Sequence, residues 1–145
     1  MTLVRQILQK KGRQVYSTTP ETSVSEALQL MAEKNIGALV VLDGDRLVGI
    51  ISERDYARKV FLLNRTPADT PVKDIMTSPV YCIGPDFTLE QCMATMTDKR
   101  IRHLPVLEND KVIGVISIGD VVKAVISDKQ FMIEQLENYI VSGGQ

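Results

Sequence analysis

Two stretches of this chain carry residue types that could do chemistry: Val48-Gly-Ile-Ile-Ser-Glu-Arg-Asp55 and Ile113-Gly-Val-Ile-Ser-Ile-Gly-Asp120. Each reads as a buried strand running into a helix, with Ser52 or Ser117 at the start and Asp55 or Asp120 three residues on. A helix start offers free N–H groups and a positive dipole end. The serine adds a hydroxyl, and the aspartate an acceptor able to hold a pair of sugar hydroxyls. That set suits a nucleotide, with phosphate on the serine and amides and ribose on the aspartate. Ser-x-x-Asp is also close to a capping box, which would only stabilise the helix. The spacing alone does not choose between the two.

Composition narrows the choice. A hydrophobic fraction of 44% with 24% charged residues is ordinary for a soluble globular protein of one domain or two small halves. A formal net charge of −1 argues against a dedicated nucleic-acid binder. No apolar run approaches the roughly 18–20 residues of a membrane span. The start, Met1-Thr-Leu-Val-Arg-Gln, lacks the pattern of a signal peptide, so the expected location is cytoplasmic. Two cysteines and one histidine are too few for a usual zinc set. His103 has no nucleophile or metal partner in the sequence, and no catalytic role is expected of it.

The elements that must position the two turns repeat. Shifted by 65 positions, Val15–Val60 aligns with Val80–Val125 without a gap, bringing Gly49, Ile51, Ser52 and Asp55 onto Gly114, Ile116, Ser117 and Asp120. Each copy predicts a short strand (Val15–Ser17; Val80–Cys82), then a capping box (Ser23-x-x-Glu26; Thr88-x-x-Gln91). A helix follows with inward Val24, Ala27, Leu28 and Met31, or Leu89, Cys92, Met93 and Met96. Cys92 takes the place of Ala27, as small core filler. A hairpin comes next (Ala38–Leu42 with Arg46–Ser52; Leu104–Leu107 with Lys111–Ser117), then a closing helix (Glu53–Leu63; Ile118–Ile126).

The unit is β-α-β-β-α, and two copies are expected to pack as a pseudo-symmetric pair around one core. The predicted divisions are 1–14, 15–63, a linker 64–79, 80–126, and 127–145. Val4-Arg-Gln-Ile-Leu8 is echoed by Val72-Lys-Asp-Ile-Met76 at an offset of 68. The tail, Asp128–Val141, reads as a separate helix. Its Phe131, Met132, Leu136 and Ile140 are expected to cover the pair or join two chains.

This unit, with its Gly-hydrophobic-hydrophobic-Ser-x-x-Asp ending, resembles the CBS domain, and the tandem resembles a CBS pair, or Bateman module. The resemblance covers roughly residues 4–126. It is carried by Asn35-Ile-Gly-Ala-Leu-Val-Val41, Arg100-Ile-Arg-His-Leu-Pro-Val106, the two Ser-x-x-Asp segments, and Asp74-Ile-Met-Thr77. It implies an α/β (α+β) fold of two pseudo-symmetric repeats in one module, flanked by N- and C-terminal helices. It also implies a regulatory module rather than an enzyme, often a disc-shaped homodimer acting on a partner protein. The expected ligand contains adenosine: AMP, ADP, ATP, NAD or NADH, or S-adenosylmethionine. The enzyme reading would need a catalytic barrel like that of IMP dehydrogenase, about 250 residues. The alternative of another class is an interaction module with vestigial clefts.

The resemblance also implies two clefts, each built from both repeats. One combines Ser117, Gly119 and Asp120 with Ile36 and the segment around Lys11–Arg13, with His103 facing its phosphate. The other combines Ser52, Arg54 and Asp55 with Ile101, Ala38 and the segment around Thr77-Ser78. Asp55 and Asp120 would accept from ribose, and Ile36 and Ile101 would wall the adenine. Repeat two has Arg102-His103 where repeat one has Gly37-Ala38. With the basic run beside it, the Asp120 cleft is expected to suit the more highly charged ligand.

Overall fold

Short turns interrupt two almost continuous apolar runs, and each becomes a hairpin. In the computed structural model, which describes residues 1–141, these are β2 (Ala38–Asp43) with β3 (Arg46–Ser52) and β4 (His103–Glu108) with β5 (Lys111–Ser117). Gly44 in one turn, and Asn109 and Asp110 in the other, adopt the positive φ that tight hairpin turns require. The registers match: Leu39 faces Ile51 and Leu104 faces Ile116, with an irregularity after Val41 and after Val106.

Before each hairpin runs a capped helix, α2 (Val24–Lys34) or α4 (Leu89–Lys99). Ser23 and Thr88 accept from the Glu26 and Gln91 amides, and the Gln91 side chain accepts in return from the Thr88 N–H. Both helices end on a left-handed residue, Asn35 and Arg100, each at φ 54°.

The expected single core is instead two clusters, each completed crosswise. α1 (Val4–Lys11) precedes repeat one but buries Val4, Ile7 and Leu8 with Leu89, Cys92, Leu104 and Ile116 of repeat two. The helical turn Val72–Asp74 and the residues after it lead into repeat two. They nevertheless bury Val72 and Ile75 with Val24, Leu39 and Ile51 of repeat one. Backbone bonds mirror each other. Val4 donates to Phe87 O and Arg5 to Pro85 O; Val72 donates to Thr22 O and Lys73 to Pro20 O. The echo between residues 4–8 and 72–76 is therefore a repeated docking element. A Cβ on Gly49 would collide with Met76, and one on Gly114 with Leu8. These glycines admit the docked side chains.

Further expectations are corrected. β1 (Ser17–Thr18) pairs parallel with Val40 and Val41, but no strand forms at Val80–Cys82; only the bridge Ile83–Val106 is made. The cause is Pro105, standing where repeat one has Val40: it has no N–H to extend the ladder toward residue 81. Glu53–Leu63 is not one α-helix but α3 (Glu53–Tyr56) continued by a π-turn, Ala57–Phe61. The closing helix of repeat two and the tail helix are one element, α5 (Ile118–Val141). Repeat one stops near Asn64, at φ 58°, whereas the aligned residue in α5 is Lys129, which continues the helix. The side chains of residues 131–141 are exposed and cover neither repeat. The last four residues of the expected tail lie outside the described ones. Among the described residues no helix is long and apolar enough to cross a membrane.

Candidate ligand-binding clefts

Both Ser-x-x-Asp turns are capping boxes in geometry. The Ser52 Oγ accepts from the Asp55 N–H at 3.2 Å, while Asp55 Oδ2 accepts from the Ser52 N–H at 2.9 Å and its hydroxyl at 3.1 Å. Ser117 and Asp120 repeat this at 3.2, 2.8 and 2.9 Å. Capping and binding are not exclusive, because the cap uses one carboxylate oxygen. Asp55 Oδ1 accepts from Thr77 Oγ1 at 3.1 Å, with Lys59 Nζ at 3.6 Å. Lys59 also donates to the Ile75 carbonyl at 3.0 Å, so the docked segment and the turn share one cation.

Around Asp55 lies a cleft of about 640 Å³ built from both repeats. Ser52, Arg54, Asp55, Thr77 and Ile101 line it. Arg58, Lys59, Lys99 and Arg100 join them, as do Arg102 and His103. Six cations thus face two carboxylates, Glu53 and Asp55, in a chain whose net charge is −1. Arg54 spans the repeats by donating to the Arg100 carbonyl at 3.1 Å. The left-handed Arg100 turns that carbonyl and its own side chain to the cleft rim. Sequence reasoning passed over Arg58, Lys59, Lys99 and Arg100. The signal for the first was present: Arg54 and Arg58 stand four apart, on one helical face.

The Asp120 side differs. A groove of about 570 Å³ runs between α1 and α5, with Thr2, Gln6, Ile7, Lys10 and Lys11 on one wall and Asp120, Lys123, Ala124, Ser127 and Asp128 on the other. Lys11 closes the approach to the turn by donating to Asp120 Oδ2 and to the Val115 carbonyl, each at 2.6 Å. At the far end Thr2 Oγ1 donates to the Asp128 carboxylate at 2.9 Å. Burial raises the Asp120 carboxyl pKa, but the bonds and charge of Lys11 and the bonds from Ser117 hold it below the ordinary value.

Several expected site residues therefore part company. Arg102 and His103 line the Asp55 cleft and not the groove between α1 and α5, although His103 also lies near enough to Lys11 and Asp120 to feel both charges. The groove beside Asp120 holds Lys10, Lys11 and Lys123, with Lys11 bonded to Asp120, while six cations line the Asp55 cleft. Ile36 packs against the repeat-one core, and Ala38 pairs with Ser52 in the hairpin; neither lines either cleft. Arg13, Ser78 and Gly119 are exposed and also line neither. His103 is largely buried, and burial with the charges of Lys11 and Arg102 outweighs Asp120 to lower its pKa. Among the described residues no group of His, Cys, Asp and Glu is placed to hold a metal ion.

The family model of the CBS domain matches residues 4–61 and again 72–127. The chain belongs to the CBS-domain family. A mitochondrial CBS domain-containing protein of Arabidopsis thaliana, CBSX3, is 38% identical over 152 residues, covering 98% of this chain and 73% of the relative. A solved CBS-domain protein from Burkholderia ambifaria is 52% identical, with a TM-score of 0.85, covering 88% of this chain and 96% of that one. The CBS domain pair of protein MJ0100 was crystallised with 5′-methylthioadenosine and S-adenosyl-L-methionine. It is 25% identical, with a TM-score of 0.79 over 88% of this chain and 98% of that one.

Proposed function

We propose that this CBS pair is a regulatory module that binds an adenine nucleotide, AMP, ADP, ATP or an NAD-type dinucleotide, in the Asp55 cleft, and acts as an energy or redox sensor. The observation that supports it is the composition of that cleft. A carboxylate with a neighbouring serine and threonine sits beside an apolar wall, Ile101, and six cations drawn from both repeats. In this reading Asp55 takes the ribose, Ile101 walls the base, and the arginines take the phosphate. A ligand that touches both repeats favours whichever arrangement of them fits it best, which is how binding would reach a partner protein. The acting unit we propose is a homodimer.

Calorimetry of the full chain with AMP, ATP, NAD and NADH tests this reading. Ligand at 100 times its dissociation constant should stabilise the fold by about 2.7 kcal/mol. No heat and no thermal shift with any of the four would sink it. The Lys11–Asp120 bond favours a second reading for the other half alone, as a closed and structural site. Saturation at one nucleotide per chain is the outcome it expects.

A further inference from the structure

The second half of α5 leaves the module. Its first part is held by buried Val121, by Ala124 and Val125 against the repeat-two core, and by the Thr2–Asp128 bond. Beyond it Phe131, Met132, Ile133, Leu136 and Ile140 are all more than half exposed. A helical end with no packed face is marginal in water.

These apolar residues are ordered. Val122, Ile126, Lys129, Ile133, Leu136 and Ile140 follow alternating steps of four and three, the period of a coiled-coil seam. Isoleucine fills one core position three times, at 126, 133 and 140. The apolar members are exposed from 50% at Val122 to 74% at Ile140. The seam lies beside the face that packs on repeat two, so it is open along its whole length.

We propose that α5 pairs antiparallel with the α5 of a second copy of this chain. Charge sets the direction. A parallel pair would put Lys129 against its own counterpart in the seam, with no opposite charge at the flanking positions. An antiparallel pair sets Ile126 against Leu136 of the second copy, Ile140 against Val122, and Lys129 against Ile133. The lysine stem then covers an isoleucine while its ammonium reaches water. Lys123 meets Glu137 of the second copy, and the two-fold repeats this pair at the other end. An anionic membrane surface suits the face less, since Glu134 and Glu137 belong to the same turns. The pairing rests on the homodimer proposed above and is independent of the ligand reading.

Sedimentation of the full chain over a range of concentrations tests it. The expected result is a dimer that Ile133→Asp dissociates, raising the dimer dissociation constant about tenfold or more with the circular dichroism of the repeats kept. Lys123→Glu and Glu137→Lys should each weaken the dimer, and the two together should restore it; a parallel pair offers no such rescue. Asp55→Ala should leave the dimer intact. A monomer at every concentration, a dimer indifferent to Ile133→Asp, reversals without rescue, or protection of α5 only on anionic vesicles would each overturn the proposal.

Discussion

Lys11 Nζ lies 2.6 Å from Asp120 Oδ2, joining the end of α1 to the repeat that follows it last in the chain. Asp120 is mostly buried while Lys11 is 35% exposed, so the bond is worth less than a buried one. Lys11→Met keeps the stem and removes the ammonium. It should cost about 1 kcal/mol at neutral pH. The Asp120 carboxyl is held below its ordinary value, so its contribution is present above that value and lost as pH falls through the folded one. In Lys11→Met acid unfolding should therefore begin at higher pH, as denaturant titrations at a series of pH values would read.

Gly49 and Met76 form the mirror of Gly114 and Leu8. Gly49→Ala should lose about 1–3 kcal/mol through overpacking. Adding Met76→Ala should return part of that loss, because the clash is with that side chain. Equilibrium unfolding of the single and double variants measures the coupling. A Gly49→Ala loss that Met76→Ala does not reduce would place the strain elsewhere.

His103 is the chain's one histidine, which isolates its titration. Burial, Lys11 and Arg102 hold its folded pKa below 6.5. Its contribution to stability is complete above the unfolded value and is lost as pH falls through the folded one. The melting temperature should fall as pH drops below about 6.5, and His103→Gln should flatten that fall. Equal slopes in the two proteins would refute the assignment.

Arg100 carries strain at φ 54°, where its aligned partner Asn35 is a residue better suited to that conformation. Arg100→Gly should stabilise the free protein by about 1 kcal/mol. The same change removes a cation from the Asp55 cleft, and should weaken ATP more than adenosine. Opposite signs for stability and phosphate binding are the expected outcome of paired melting and calorimetry; loss of both would mean that Arg100 serves the fold.

Legibility in the sequence followed the range of the interaction. The repeat, the capped helices and the hairpins rest on local spacing, and the Ser-x-x-Asp turns were visible with both of their readings. The crosswise docking showed only as an offset of 68 against 65, because which surface a short amphipathic turn covers is decided by the whole fold. Pro105 could have warned that Val80–Cys82 would make no ladder, since a missing N–H is written in the residue type. Beyond Arg54 and Arg58, the cations of the Asp55 cleft could not be grouped beforehand. Lys99 and Arg100 reach it from the end of α4, Arg58 and Lys59 from the π-turn, and Arg102 by the path into β4. Their convergence is tertiary.

The crosswise docking of α1 and Val72–Met76 also makes the halves hostages of one another. A fragment ending after Leu63 would hold a repeat-one core open where Val72 and Ile75 belong, and an α1 whose own surface had been cut away. Because α1 and residues 72–76 are versions of one element, two such fragments could close by trading their leading helices.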